Sequence, residues 1–121
     1  MILIDTSVWV EHLRRGVPGL ADVLDQGVVL VHPFVVGELA CGNLENRREI
    51  LDLLAALPAA VTATDDEVMH LLDERRLMGR GIGWVDAHLL ASALLSEAAL
   101  WSRDGRLAET AVHLGIEFRP E

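Results

Sequence analysis

With 121 residues, 51% of them hydrophobic, the chain has the length and apolar material for one core, which excludes it from the disordered class. Its formal net charge of −9 at pH 7 argues against a simple nucleic-acid coat, which would neutralise phosphates with a basic surface. All 10 basic residues are arginines, so P-loop and Schiff-base chemistry, both of which need a lysine, are excluded as well.

Residues 2–4 (ILI) read as a strand running into Asp5, and residues 7–15 as a helix stopped by Gly16. A short helix over 20–25 and a second strand over 28–31 follow. Pro33 opens a helix over 33–41, in the first-turn position where its missing N–H is no loss, with His32 before it as a turn or cap residue. A helix over 47–56 has Asn46 as cap and Glu49 three residues on, and residues 60–63 form a weak strand. Thr64 caps a helix over 65–78, with Glu67 completing a capping box. Residues 84–95 are helical, 99–101 a strand, 105–114 a helix closed by Gly115, and 116–118 a last strand.

Short strands without internal alternation, separated by helices, imply a parallel sheet covered on both faces. The expected architecture is α/β, a three-layer α/β/α sandwich around a mainly parallel sheet, in a single domain over residues 1–121. The lone Cys41 permits no internal disulfide and points to a reducing compartment. No basic leader precedes an apolar run, and no uncharged stretch approaches the ~20 residues that span a bilayer. A soluble, cytoplasmic protein without membrane contact is expected.

In open parallel sheets the reactive site lies beyond the carboxyl ends of the strands. Most of the 19 carboxylates have ordinary explanations: Asp65, Asp66 and Glu67 occupy a helix's first turn, and Glu45, Glu49, Asp52, Asp73 and Glu74 belong to charged faces. Four others stand out. Asp5 and Asp104 each follow a strand and precede a helix, where capping is the plain alternative. Glu38 lies mid-helix in PFVVGELACG with Phe34, Val35, Cys41 and Gly42 as helical neighbours, which reads as an unpaired carboxylate on an apolar face. Asp86, in GIGWVDAHLLASALL, has Ile82, Gly83, Leu89 and Leu90 around it, with favourable charge at a helix start as its plain alternative. Four converging carboxylates repel one another unless a hard divalent cation joins them, and an oxygen-only set suits Mg²⁺ or Mn²⁺ over Zn²⁺. The chemistry this suggests is metal-assisted phosphodiester hydrolysis.

The segments MILIDTSVWVEHL, PFVVGELACG, GIGWVDAHLLASAL and LWSRDGRLAETA resemble, in that order, the four acidic motifs of PIN-domain ribonucleases. Spacing and size are most similar to the VapC-type toxins of bacterial toxin–antitoxin pairs. The resemblance implies a PIN-like sandwich, Mg²⁺- or Mn²⁺-dependent cleavage of RNA to 5′-phosphate and 3′-hydroxyl ends, inhibition by a cognate antitoxin, and a homodimer. Carried over by position, Asp5, Glu38, Asp86 and Asp104 form the catalytic, metal-holding set, with Asp5 and Asp86 as its first direct contacts. Thr6 and Ser102 are neighbouring hydroxyls that orient carboxylates or water. The fourth motif departs from many relatives at Ser102 and Leu107, which makes Asp104 the least secure as a direct ligand.

Other features carry less. Arg80, in a glycine-rich loop over 79–83, is a candidate phosphate contact against the plainer reading of a flexible connection. His88 lies two residues after Asp86, hence on another helix face. With no tyrosine and 2 phenylalanines, no aromatic base-reading platform is evident. The alternatives are a PIN-like module that binds RNA or a partner without cleaving, and a doubly wound phosphatase. The second is weakened by Ser7, which stands where an Asp-x-Asp site needs its second acid.

Overall fold

The computed structural model describes residues 1–120. Its centre is β1 (Ile2–Ile4), flanked by β2 (Val29–Leu30) and β3 (Ala99–Trp101) in the order β2-β1-β3, all parallel. Ile2 pairs with Val29 on one side and Ala99 on the other, and Leu3 with Leu30 and Leu100. Successive strand residues face opposite sides, and Ile2, Leu3 and Ile4 are all buried, so both faces of the central strand are covered. This is why the strands read as unbroken apolar runs.

Among the described residues seven helices surround the sheet: α1 (Thr6–Arg15), α2 (Leu20–Asp25), α3 (Pro33–Cys41), α4 (Arg47–Ala55), α5 (Asp65–Glu74), α6 (Trp84–Leu95) and α7 (Gly105–His113). The residues 87–93 of α6 are buried throughout, and α6 lies against β1 and β3. A smaller cluster of Ala63, Val68, Ala87 and Ala91 joins α5 to α6. No helix is long and apolar enough to cross a membrane among the described residues.

The strands expected over 60–63 and 116–118 are reduced to single bridges, Val31 to Ala59 and Leu100 to Glu117. Val31 donates to the Pro58 carbonyl at 2.9 Å and accepts the Ala60 N–H at 2.8 Å, and the next rung toward residue 62 would need an N–H on Pro33, which has none and begins α3. Thr64 caps α5 with the full reciprocal box to Glu67. Asn46 does not cap α4: its backbone is left-handed at φ 54° and its side chain accepts no helix N–H. The helix over 65–78 stops at Glu74, and the chain turns at Arg76, which has φ 54°.

Candidate active site

Asp5 leaves the carboxyl end of β1 and occupies the N-cap position of α1, yet its side chain caps no helix N–H. Its Oδ2 instead accepts the hydroxyls of Ser7 at 2.6 Å and Ser102 at 2.8 Å. Both hydroxyls are oriented by the chain beyond β3: Ser7 Oγ accepts the Arg103 N–H at 2.9 Å, and Ser102 Oγ the Asp104 N–H at 3.0 Å. The ends of β1 and β3 are thereby tied together around one carboxylate that is only 6% exposed. Ordinary capping does not account for that arrangement.

Glu38 is exposed, which corrects the expectation of a carboxylate on a buried apolar face. Val35 and Leu39, four residues apart, form the inward stripe of α3, and Glu38 lies outside it. Its Oε1 accepts the Thr6 hydroxyl at 2.7 Å, which fastens α3 to the start of α1. Asp104 is exposed and caps α7 in the ordinary way, Oδ1 accepting the N–H groups of Arg106 at 3.0 Å and Leu107 at 3.2 Å.

Asp86 is half-buried near the start of α6 and its Oδ2 accepts the Gly83 N–H at 3.0 Å. Burial raises its pKa above the usual carboxylate value. The Gly83 N–H opposes that shift, while the charges of Asp5, Asp104 and Glu38 add to it. The four acids therefore share one electrostatic field although they come from four separate segments.

They share a second property. Each gives one oxygen to a protein donor, and among the described residues the other, Asp5 Oδ1, Glu38 Oε2, Asp86 Oδ1 and Asp104 Oδ2, accepts no protein hydrogen bond. No group of three acidic, imidazole or thiol side chains among the described residues is placed to hold an ion by itself. The donor set thus fits a hard cation that keeps most of its waters and is held by one or two carboxylates plus substrate oxygens, which is how Mg²⁺ binds. It does not fit a closed protein cage.

Arg80 is half-buried in the segment between α5 and α6. Next to it Gly81 has φ 79°, and a Cβ there would collide with the guanidinium and Cδ of Arg106. Arg106 is thus laid across this loop, a cation that the sequence reading did not single out. Ser7 was also missed, although a hydroxyl two residues after an aspartate is a common local partner. His88 is buried, its Nε2 3.1 Å from Asp65 Oδ1.

A family model of the PIN domain matches residues 2–113. The chain is 47% identical over 122 residues to Ribonuclease VapC32 of Mycobacterium tuberculosis, in two strains, covering 100% of this chain and 98% of that one. Among solved structures, FitAB bound to an IR36 DNA fragment matches with a TM-score of 0.61 at 18% identity, over 97% of this chain and 92% of the other, a likeness of fold alone.

Proposed function

The chain belongs to the PIN-domain family, and on that premise we propose that it is an Mg²⁺- or Mn²⁺-dependent endoribonuclease, the cytoplasmic toxin of a toxin–antitoxin pair. The observation that carries the reading is Asp5: a buried carboxylate at the end of the central strand, in a capping position, held by two hydroxyls and capping nothing. A buried charge so placed costs stability and serves chemistry.

When bound by Asp5 and Asp86, with Glu38 and Asp104 completing the shell directly or through water, the cation supplies positive charge at the scissile phosphate and lowers the pKa of a water. The chain's own residues do the positioning. Ser7 and Ser102 hold Oδ2 of Asp5 and leave Oδ1 to the site, and Thr6 does the same for Glu38. Arg80, with Arg106 laid over the neighbouring Gly81, supplies cations for the RNA backbone, offsetting part of a net −9 chain's repulsion of phosphates.

The antitoxin reading is supported by a groove between α1, α3 and α4. It is lined by Val10, Leu13, Leu39 and Ile50 with Arg14 and Glu38 among its walls, and suits an apolar segment carrying charges of both signs. A homodimer is part of the same proposal.

The test compares antitoxin-free protein with Asp5→Asn and Asp86→Asn on a panel of tRNA and structured RNA, each with Mn²⁺, Mg²⁺ or EDTA. Metal-dependent cleavage by wild type, lost at least ~100-fold in both folded variants, is the expected result, since a lost charge contact to the reacting centre costs about 3 kcal/mol. A folded wild type that cuts nothing in any metal overturns the nuclease in favour of the binding module.

A further inference from the structure

Phe34 and Trp84 are large aromatic residues that stay 38% and 43% exposed, whereas Trp9 and Trp101 are both 3% exposed. Phe34 is one helical turn before Glu38 on α3, and Trp84 is two residues before Asp86 at the start of α6. The two rings meet through one buried imidazole. Phe34 lies 4.9 Å from His88 at 62° between planes, and Trp84 lies 4.8 Å from it at 84°. Phe34 also has His32 at 5.0 Å and 65° on its other contact. His88 is fixed by Asp65 and His32 by the Phe34 N–H, so the supports under both rings are themselves held.

These rings are anchored without being covered. A ring that only closed a core would be hidden, and an unsupported surface ring would lose conformational freedom on binding anything. A rigid, half-open aromatic pair suits stacking, which is sequence-tolerant and is the usual way in which unpaired bases are held. Phe34 precedes Glu38 by one turn on the same side of α3, and Trp84 shares the first turn of α6 with Asp86, so the pair stands on the two helix segments that carry two of the four acids. A second copy of the chain is a poorer occupant. Two rings of roughly 150–250 Å² each, already more than half covered, fall short of the roughly 800 Å² per partner of a stable dimer.

We propose that Phe34 and Trp84 form the stacking platform that seats an unpaired base of single-stranded RNA next to the acidic site. The inference rests on the nuclease reading above for its substrate but is separable from it by experiment.

Binding is read first by tryptophan fluorescence, with a single-stranded RNA oligonucleotide added in Ca²⁺ buffer. The exposed Trp84 is expected to be quenched, and Trp84→Phe to lose the quench. Steady-state cleavage of an unpaired oligonucleotide is then compared among wild type, Phe34→Leu, Trp84→Leu and Trp84→Phe. The expectation is a rise in KM of about tenfold or more in the two leucine variants, in keeping with the strength of base–aromatic stacking, and recovery to near wild type in Trp84→Phe. Folding and oligomeric state are checked by circular dichroism and sedimentation. An unchanged KM in folded leucine variants overturns the platform, as does a shift from dimer to monomer in them, which would make the rings an interface between copies. Quenching without cleavage of any RNA by wild type supports the base site while removing the nuclease. Neither quenching nor cleavage overturns both.

Discussion

Two hydroxyl protons converge on one oxygen of Asp5, and each hydroxyl is oriented by a backbone N–H from the segment after β3. Ser7→Ala removes one bond to Asp5 and orphans the Arg103 N–H, and Ser102→Ala does the same to Asp104. Each is expected to cost about 1 kcal/mol in urea denaturation. Because both act on the same oxygen, the double variant leaves a buried carboxylate without its donors, and it is expected to exceed the sum by roughly 0.5 kcal/mol or more. Strict additivity would show that the two serines do not share an anchor. At this scale the sequence was legible in part. Asp5, Asp86 and their unusual neighbours stood out because a charge ended or interrupted an apolar run. The surroundings of Glu38 did not: PFVVGELACG is apolar in almost every direction, so periodicity cannot say which stripe turns inward, and the choice of Val35 and Leu39 is made by α1 and α4 across the interface. Ser7 was hidden because its role depends on Ser102 and Arg103, 95 and 96 residues away.

The helices were the most readable elements, with α2, α3 and α6 read end to end, because proline, glycine and capping residues mark their limits locally. The edge strands were not, since a strand exists only where a partner returns its hydrogen bonds. On one edge Pro33 lacks the N–H of the next rung and turns the chain into α3, so the ladder stays a single bridge that no local propensity reveals. Asn46 shows the same limit, having the composition of a cap but a left-handed backbone that a cap cannot use. Two predictions belong to elements. Thr64→Ala breaks the only complete side-chain capping box among the described helices and is expected to cost about 1 kcal/mol. Gly81→Ala forces a side chain into a left-handed backbone and into Arg106, an expected loss of about 2 kcal/mol by thermal melting. Adding Arg106→Ala removes the collision and leaves the backbone strain, so the double variant should regain part of that loss and not all of it. Full recovery would show that the left-handed conformation is not required there.

Across the whole molecule, acid acts in opposite directions on the buried His32 and the half-buried Asp86. His32 is 1% exposed, its Nδ1 accepts the Phe34 N–H and its Nε2 has no partner among the described residues, so the neutral ring is the form the fold accommodates. Burial, reinforced by the charge of His88, lowers its pKa from 6.5 to about 4. Between those values the unfolded chain binds a proton that the folded chain refuses, so His32 withdraws stability as pH falls from about 6.5 to about 4, by on the order of 2–3 kcal/mol. Asp86 works the other way: its raised pKa means that the folded chain takes up a proton first, and the fold gains as pH drops through that value. A single pH–stability curve mixes the two, and a variant separates them. His32→Asn keeps a side chain able to cap α3 and deletes the titration. It is expected to be less stable at pH 7.5 because the imidazole's packing is lost, yet to lose about 2 kcal/mol less than wild type between pH 7 and pH 4.5 in urea denaturation. Parallel curves over that window would mean that the partnerless Nε2 is met by solvent, and that the acid response of this chain comes from its other titrating groups, His12 with its burial-lowered pKa among them.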